Sequence, residues 1–561
     1  MKRIQGRIRW GRWATIFCAA AMTALQCLAV PAFAGFELPP GERITNLPAI
    51  PRNMPQKEAY ESYDPVIGRN FDIKNFWMRA DLRVRPEMRN NSCFGGAQLA
   101  GGACNAFAAT PATVNGRGAA PNVGANAGNK GNDFFVQQWV RLGIGYDLSP
   151  DVNFYMEIID SATWGGNGSA VNAGNGGDPL NHNCSSVNTG QCRLGVRAAY
   201  MLIRNLADVQ GLSVKVGRQY VVFGNHSLFG HFDWANTGYS HDGVMFAYQT
   251  KTWDSYFGWF RNSESDNGQA AAVGSGAPNI AGTGAQDAQR DADMFIFYNQ
   301  LKMVPGMVIE PFYVLYSNRY GSADNIGQGL GTAKHSNQTR HMVGNRVELR
   351  KGGFDFSNEI AYQFGQMGQA GACAGEQKCL HINAWATRNW IGYTFYDTAW
   401  KTRLAFNLDY ASGDSRNNTC GATPGSCKTA NTFENFFPTN HIHMGYMDVQ
   451  AWKNMLSPSA NLQARPSARD HIELWYTNLN LANSKDCWYR GAQGCYVFSN
   501  PNNTKTHIGD EIDVAYTRMF ADGKVALQAT YGTMFSGGYL TSTLNQTQNQ
   551  HWGYVSLWMN F

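Results

Sequence analysis

Met78-Arg79-Ala80-Asp81-Leu82-Arg83-Val84-Arg85-Pro86-Glu87-Met88-Arg89 alternates apolar and charged residues, broken only by Pro86 on the apolar side. A period of two places Met78, Ala80, Leu82, Val84 and Met88 on one face of a strand. Arg79, Asp81, Arg83, Arg85, Glu87 and Arg89 fall on the other. Such a strand separates an apolar medium from a polar one. If the apolar medium is lipid, the charged face must point into a lumen, since Lys or Arg at the bilayer midplane costs about 2 to 4 kcal/mol.

The same device recurs to the C-terminus. Strand candidates run over 74–89, 133–148, 151–161, 193–204, 211–222, 241–249, 253–262, 292–302, 307–318, 339–350, 353–365, 382–395, 399–411, 453–463, 469–482, 506–519, 524–536 and 549–561, eighteen in all. Tight connections such as Leu148-Ser149-Pro150-Asp151, Val304-Pro305-Gly306, Lys351-Gly352-Gly353 and Phe520-Ala521-Asp522-Gly523 alternate with long polar loops. An even strand number with two loop-length classes predicts an all-β fold, a transmembrane antiparallel β-barrel with short periplasmic turns and long extracellular loops. In the last strand Gly553, Val555, Leu557, Met559 and Phe561 share one face. Tyr393, Phe395, Tyr396, Trp400, Tyr531, Trp552, Tyr554 and Trp558 lie near strand ends, where an interfacial aromatic girdle is expected. A soluble sandwich or solenoid also alternates. Long strands and closure of every edge favour the membrane.

Ahead of the barrel region, 72–561, two segments read differently. Residues 1–34 carry Lys2, Arg3, Arg7, Arg9 and Arg12, an apolar run from Ala14 to Val30, and Ala32-Phe33-Ala34, the pattern of a secretory signal peptide cleaved after Ala34. Phe17 and Gln26, before Cys18 and Cys27, are too large for a lipoprotein site. Residues 35–71 hold Pro39, Pro40, Pro48, Pro51, Pro55 and Pro65 without periodicity and read as an irregular periplasmic segment. Beyond residue 34 no uncharged apolar run reaches the roughly 18 residues of a helical span.

Charge supports this division. The chain of 561 residues has 46 Lys and Arg against 41 Asp and Glu, and five of the basic residues lie in the leader, leaving 41 of each sign. A neutral mature chain offers no footprint for nucleic acid. Ten of the 12 cysteines follow the leader, in five close pairs: Cys93/Cys104, Cys184/Cys192, Cys373/Cys379, Cys420/Cys427 and Cys487/Cys495. Each pair sits in a long polar loop, no CxxC or CxxCH occurs, and the spacings do not suit zinc. Nearest-neighbour disulfides are the simplest connectivity, each contributing about 2 to 3 kcal/mol.

Several motifs remain. Gly217-Arg218-Gln219-Tyr220-Val221-Val222-Phe223-Gly224 is followed by Phe232-Asp233-Trp234-Ala235-Asn236-Thr237-Gly238 and Asp242-Gly243-Val244. Further on stand Asp409-Tyr410-Ala411-Ser412-Gly413-Asp414, Phe436-Phe437-Pro438-Thr439-Asn440-His441, Gly445-Tyr446-Met447-Asp448 and Gly509-Asp510-Glu511-Ile512-Asp513. Together these resemble the alginate export family of outer-membrane porins, over essentially residues 74–561. The resemblance implies an eighteen-stranded barrel and a pore lined with arginines that attract a uronate polymer, with Arg79, Arg83, Arg85 and Arg218 where such a lining could be.

Phase alone assigns the lumenal residues. The first five strands contribute Arg79, Arg83, Arg85, Arg89, Arg141, Arg197 and Lys215 against Asp81, Glu87 and Glu157, with Arg218 joining if a bulge after Gly217 turns it inward. That wall is basic. Later strands contribute Glu348, Asp355, Glu359, Asp409, Glu473, Glu511 and Asp513 against Arg346, Arg388 and Arg403, an acidic wall. Facing walls of opposite sign make a transverse field in a channel; salt-bridged ladders in a filled barrel are the structural alternative.

His441-Ile442-His443 with Asp448 permits a metal reading, but a satisfied loop pair is the simpler one. No Ser, His and acid grouping stands out for catalysis, and Gly165-Gly166 and Gly176-Gly177 precede no helix that would make them phosphate cradles. The expectation is a bacterial outer-membrane channel, monomeric in the lipid and without enzymatic activity, cofactor or metal. It would pass a polar or anionic solute, with oligo- and polysaccharides such as a uronate polymer among the candidates. The alternative is a structural sheath that threads a partner such as a cytochrome.

Overall fold

The computed structural model describes residues 75–91, 133–165, 194–234, 238–263, 292–318, 338–368, 380–415, 429–489, 495–497, 503–544 and 548–560. The leader and the Pro-rich segment expected at 1–34 and 35–71 lie outside the described residues. So do four of the five expected disulfide pairs, Cys93 with Cys104, Cys184 with Cys192, Cys373 with Cys379 and Cys420 with Cys427. Of the mature cysteines only Cys487 and Cys495 fall within them.

The strands in chain order are β1 (Phe76–Asn90), β2 (Asp133–Asp147), β3 (Val152–Gly165), β4 (Leu194–Arg204), β5 (Leu212–Gln219), β6 (His241–Gln249) and β7 (Trp253–Ser263). There follow β8 (Ala292–Leu301), β9 (Met307–Asn318), β10 (Gln338–Lys351), β11 (Phe354–Met367), β12 (Leu380–Thr394), β13 (Arg403–Ala411) and β14 (Thr429–Ala430). Last come β15 (Met455–Ser467), β16 (Asp470–Leu481), β17 (Trp488–Tyr489), β18 (Cys495–Val497), β19 (His507–Phe520), β20 (Val525–Ser536) and β21 (Gln550–Asn560), with the short helix α1 (Gly538–Leu544) before β21. Among the described strands only the spur β14 pairs in parallel, with β12; every other pairing is antiparallel, including that of the small separate hairpin β17–β18. β1 pairs with both β2 and β21, closing an eighteen-stranded barrel.

Each expected strand corresponds to one barrel strand. Boundaries shift by up to four residues, β3 running on to Gly165 and β15 to Ser467, and two of the shifts have a clear local reason. β13 starts at Arg403 instead of 399, because residues 395–402 form a turn in which Phe395 N donates to Thr402 O (2.8 Å) and Lys401 N to Thr398 O (3.0 Å). β5 stops at Gln219 instead of 222, where the chain leaves the wall for the lumen. The tight turns lie at the end where β1 begins and β21 finishes. One of them, between β10 and β11, is two residues long with Gly352 at φ +60°, a conformation that glycine adopts without a Cβ clash.

Alternation decides what each face meets. On the outside Met78, Phe134 and Phe406 are among the most exposed large apolar residues, as lipid-facing side chains should be. Tyr393, Phe395, Tyr396, Trp400 and Tyr531 are exposed as expected of a girdle. Trp552, Tyr554 and Trp558 are not: they alternate with outward Val555, point into the barrel and are buried, which corrects their girdle assignment.

The interior is occupied by two inward connections. One joins β5 to β6; the other runs from β14 to β15. They bond to each other through Gly230 N to Phe437 O (2.8 Å), Phe437 N to Leu228 O (3.0 Å) and Thr439 N to His226 O (2.9 Å). Phe229, Phe433, Phe436, Phe437 and Trp452 from these connections share one apolar cluster with Ile296, Tyr298, Tyr316 and Met342 of the wall. Each fully buried aromatic of this kind contributes about 1.5 to 3 kcal/mol. A second buried cluster joins Trp234, Tyr446, Met447 and Val449 of the connections to Trp552 and Tyr554, so apolar side chains fasten both connections beside the charged parts of the wall.

Candidate functional site in the barrel lumen

The arginine stripe of β1 points inward, as its phase requires. Arg83 and Arg85 are buried, and the β5–β6 connection lies on them. Arg83 Nη1 donates to the carbonyl oxygens of Asp233 (2.5 Å) and Trp234 (3.0 Å), and Arg85 Nη1 donates to that of Trp234 (2.8 Å). Arg85 Nε also donates to Glu87 (2.6 Å), and its Nη2 bonds to Gln137. Arg79 pairs with Asp81 at 2.6 Å, and Arg89 lies 3.4 Å from Glu87.

Further round the wall, Arg141 and Arg197 hold the Asp233 carboxylate from two sides, Arg141 Nη1 on Oδ2 at 3.0 Å and Arg197 Nη2 on Oδ1 at 2.9 Å. Burial alone would raise the Asp233 pKa, but Arg141, His231 and Arg197 together hold it well below the ordinary carboxylate range. His226 and His231 sit edge to face with centroids 5.0 Å apart. Burial and the neighbouring His231 push His226 down to about 3, so it is neutral at physiological pH. Glu157 bonds to Tyr155 (2.7 Å) and to Tyr220, and lies 3.7 Å from Arg141. Arg197 reaches inward from a bulge, the extra residue between Val196 and Ala198, which pair with Ile158 and Glu157. Lys215 also faces inward, its Nζ 5.0 Å from the Tyr200 ring centroid.

Arg218 does not. It pairs in register with Ala199 and Asp242, and the alternation from inward Gly217 and Gln219 turns it to the outer face, where it bonds Asp242 at 3.1 Å. Gly217 has the positive φ that a bulge after it would use, yet the register with β6 stays continuous from Leu212 to Gln219. The expected inward position of Arg218 is therefore corrected.

On the opposite wall the assigned residues are inward and largely paired. Arg346 bonds both Glu310 and Glu348; Arg388 meets Asp409 at 3.0 Å, and Arg403 meets Asp355 at 2.6 Å. Glu359 accepts a hydrogen bond from Ser227 of the first inward connection. Glu511 and Asp513 accept from the backbone N–H groups of Met447 (2.9 Å) and Tyr446 (3.1 Å) of the second, while Glu473 accepts from the Tyr446 hydroxyl at 2.8 Å. Acidic wall and inward connection are thereby joined by donors that the connection supplies.

Sequence reasoning missed Asp233, Trp234 and Glu310 as lumenal partners. Asp233 and Trp234 stand in a quoted motif, but local pattern says nothing about a loop folding back 150 residues away. Glu310 could have been found by the phase of β9, where it faces Arg346 in register. His441 and His443 do not converge: Asn440–Ile442 is a 3-10 turn, not a strand. His441 stacks on Trp234 and lies 3.0 Å from Asp448, while His443 Nε2 meets the Asn225 carbonyl at 2.7 Å.

A closed eighteen-stranded barrel with an apolar outer band, a charged lumen and inward connections is the architecture of bacterial outer-membrane channels. The sequence profile of the family described as alginate export matches residues 118–554, and the chain belongs to that family, a bacterial outer-membrane protein. Solved structures from Pseudomonas aeruginosa are similar in fold at low identity. OccK9 (OpdG) is 10% identical with a TM-score of 0.48, covering 87% of this chain and 99% of that one. OccK11 (OpdR) is also 10% identical, with a TM-score of 0.45 over 87% and 96% of the two chains. No curated protein matches the chain.

Proposed function

We propose that the protein is a passive, non-catalytic channel for an anionic solute, with carboxylated oligo- or polysaccharides as the substrate class, acting as a monomer. The observation that carries this reading is the Asp233 carboxylate held between Arg141 and Arg197, beside Arg83 and Arg85. The basic wall already binds a carboxylate in the geometry in which charge-assisted bonds are strong. A uronate carboxylate arriving in the lumen is chemically the same group, so it can compete with Asp233 and displace the loop that carries it. The conformation described is then the closed state, and occupation of the lumen by the chain's own connections supports a channel over a sheath for a threaded partner.

Planar-bilayer recording tests the proposal. Oligouronates should cause transient current blocks at concentrations where neutral oligosaccharides of equal length cause few, and the reversal potential in a salt gradient should indicate anion preference. Equal block by both sugars, with no charge preference, would overturn it.

A further inference from the structure

We propose that the outer face of β5–β8 at the extracellular rim is a binding surface for the phosphorylated glycolipid of the outer leaflet, with divalent cations bridging. The register defines it. Arg218, Asp242, Arg261 and Asp293 are successive partners across four neighbouring strands and point away from the lumen. One step toward the periplasm on the same face the row is Val216, Val244, Trp259 and Phe295, and the next is Val214, Phe246, Phe257 and Phe297. The wall therefore passes from full charge to full apolarity in two residues, roughly 7 Å of strand.

The charged row spans about 14 Å, from strand spacing. Arg218 bonds Asp242 at 3.1 Å, Arg261 bonds Asp293 at 2.8 Å, and Trp259 Nε1 donates to Asp293 at 3.0 Å. Side-chain exposure is 43% for Asp242, 32% for Arg261, 23% for Asp293 and 14% for Arg218, so Asp242 and Arg261 present the larger part of the row to a neighbour. Continuing through β9, β10 and β11 the row holds Ser317, Thr339 and Gln366, so the charge is confined to one sector.

Four ionised groups in one row, directly above two apolar rows, mark the level at which the wall meets headgroups and not acyl chains. The neighbour at this rim is the headgroup layer of the outer leaflet. Guanidinium groups grip phosphate oxygens in pairs, and carboxylates complete the oxygen shell of a divalent ion that phosphates also ligate. The row is balanced, two positive and two negative, so it suits a layer in which phosphates and divalent cations alternate better than bare anions.

The test uses the full-length protein in phospholipid nanodiscs doped with bisphosphorylated lipid A or its dephosphorylated form, with bound lipid read by native mass spectrometry. The expected result is at least tenfold preference for the bisphosphorylated form, lost on chelation with EDTA and in the R218Q/R261Q variant. R518Q, at the periplasmic rim, should leave it unchanged. No preference in the wild-type protein, or equal retention by R218Q/R261Q, overturns the proposal. A preference that survives EDTA overturns the cation bridge, and equal retention of phosphatidylglycerol would show a general anion surface instead. If the double variant fails to fold, the wild-type comparison and its EDTA dependence decide.

Discussion

The guanidinium of Arg85 lies 3.4 Å from the centroid of the Trp234 indole while its Nη1 donates to the Trp234 carbonyl at 2.8 Å. One wall side chain thus holds both the ring and the backbone of the inward connection. The His441 imidazole stacks on the same indole at 3.7 Å and 7°. The guanidinium and the imidazole cannot occupy the same side of the indole, so a guanidinium–indole–imidazole stack joins β1 to the first connection and the first to the second. The two connections inside the lumen share an anchor, so loosening one should loosen both.

Replacing Trp234 by Ala removes the middle of that stack. A desolvated cation–π contact contributes about 2 kcal/mol, and the lost burial adds to it. Current through the variant should be larger and noisier than through wild type, while heat-modifiable migration of the barrel is unchanged. Quiet, wild-type conductance would show that the anchor lies elsewhere.

Asp233→Asn addresses the electrostatic part of the same latch. Arg141 and Arg197 keep a hydrogen-bond acceptor but lose the charge, and breaking a buried pair costs about 3 to 5 kcal/mol. With tenfold per 1.4 kcal/mol, the open fraction should rise by at least one order of magnitude. Because the freed arginines then face the lumen, anion selectivity should rise with it. Greater opening with lower anion selectivity would contradict the competition of solute with Asp233.

Outside the wall, Asp486 predicts a pH dependence. Its Oδ2 accepts from Asp414 N (2.7 Å) and Thr432 Oγ1 (2.7 Å), and its Oδ1 from Cys487 N (2.7 Å) and Tyr489 OH (3.1 Å), tying the connection after β16 to the one after β13 and to the start of the second inward connection. Burial pushes its pKa up to about 7, the four donors and nearby Asp414 altering the shift without reversing it. A carboxyl whose folded pKa is raised contributes stability that is complete below its unfolded value, about 3.9, and fades as pH rises through 7. Proteolysis of these connections should therefore increase between pH 6 and 8, and Asp486→Asn should flatten the rise. A wild-type profile identical to that of the variant would remove Asp486 from the account.

The cysteine pairs are expected to act on the loops alone. Cys487 is buried and disulfide-bonded, close to the β17–β18 ladder in which Tyr489 pairs with Cys495. Cys93/Cys104, Cys184/Cys192, Cys373/Cys379 and Cys420/Cys427 lie outside the described residues, and their pairing is a proposal from spacing. Reduction should accelerate loop cleavage without changing the migration of the folded barrel, whose hydrogen-bonded ladder closes independently. Ten free thiols in the oxidised, purified protein would exclude the bridges.

What the sequence makes legible is phase. Alternation along 78–89 places Arg83 and Arg85 in the lumen, and the same rule locates Glu348, Asp409 and Glu511 on the facing wall. Departures from that rule mislead. An inward Arg218 needs a bulge that the β5–β6 register does not contain, and a girdle position for Trp552 follows from residue type alone, although phase puts its neighbour Gly553 outside. The inward path of Asp233 is not legible at all, because it depends on contacts more than 90 residues away in sequence, such as that with Arg141.

Arg83 and Arg85 stand about 6.6 to 6.8 Å apart along β1, a spacing at which a carboxylated chain could pass from one to the other. In the closed state they are not available to do so, since both donate to loop carbonyls and are buried. Their joint replacement by Ala should have two separable effects. The loop loses three donors to its backbone, each bond to a charged group contributing about 1.5 to 3 kcal/mol, so conductance should increase. Once the lumen is open, the missing charges should lower anion over cation permeability. That second effect depends on ionic strength, because the Debye length shrinks from about 30 Å at 0.01 M to about 3 Å at 1 M salt. Conductance should thus exceed wild type at all salt concentrations, whereas the loss of selectivity should be larger in dilute than in concentrated salt. Asp233→Asn, which opens the lumen but keeps both arginines, should raise conductance without that loss. If the two variants give the same reversal potential, Arg83 and Arg85 only hold the loop, and the selective wall must be sought at Arg141 and Arg197.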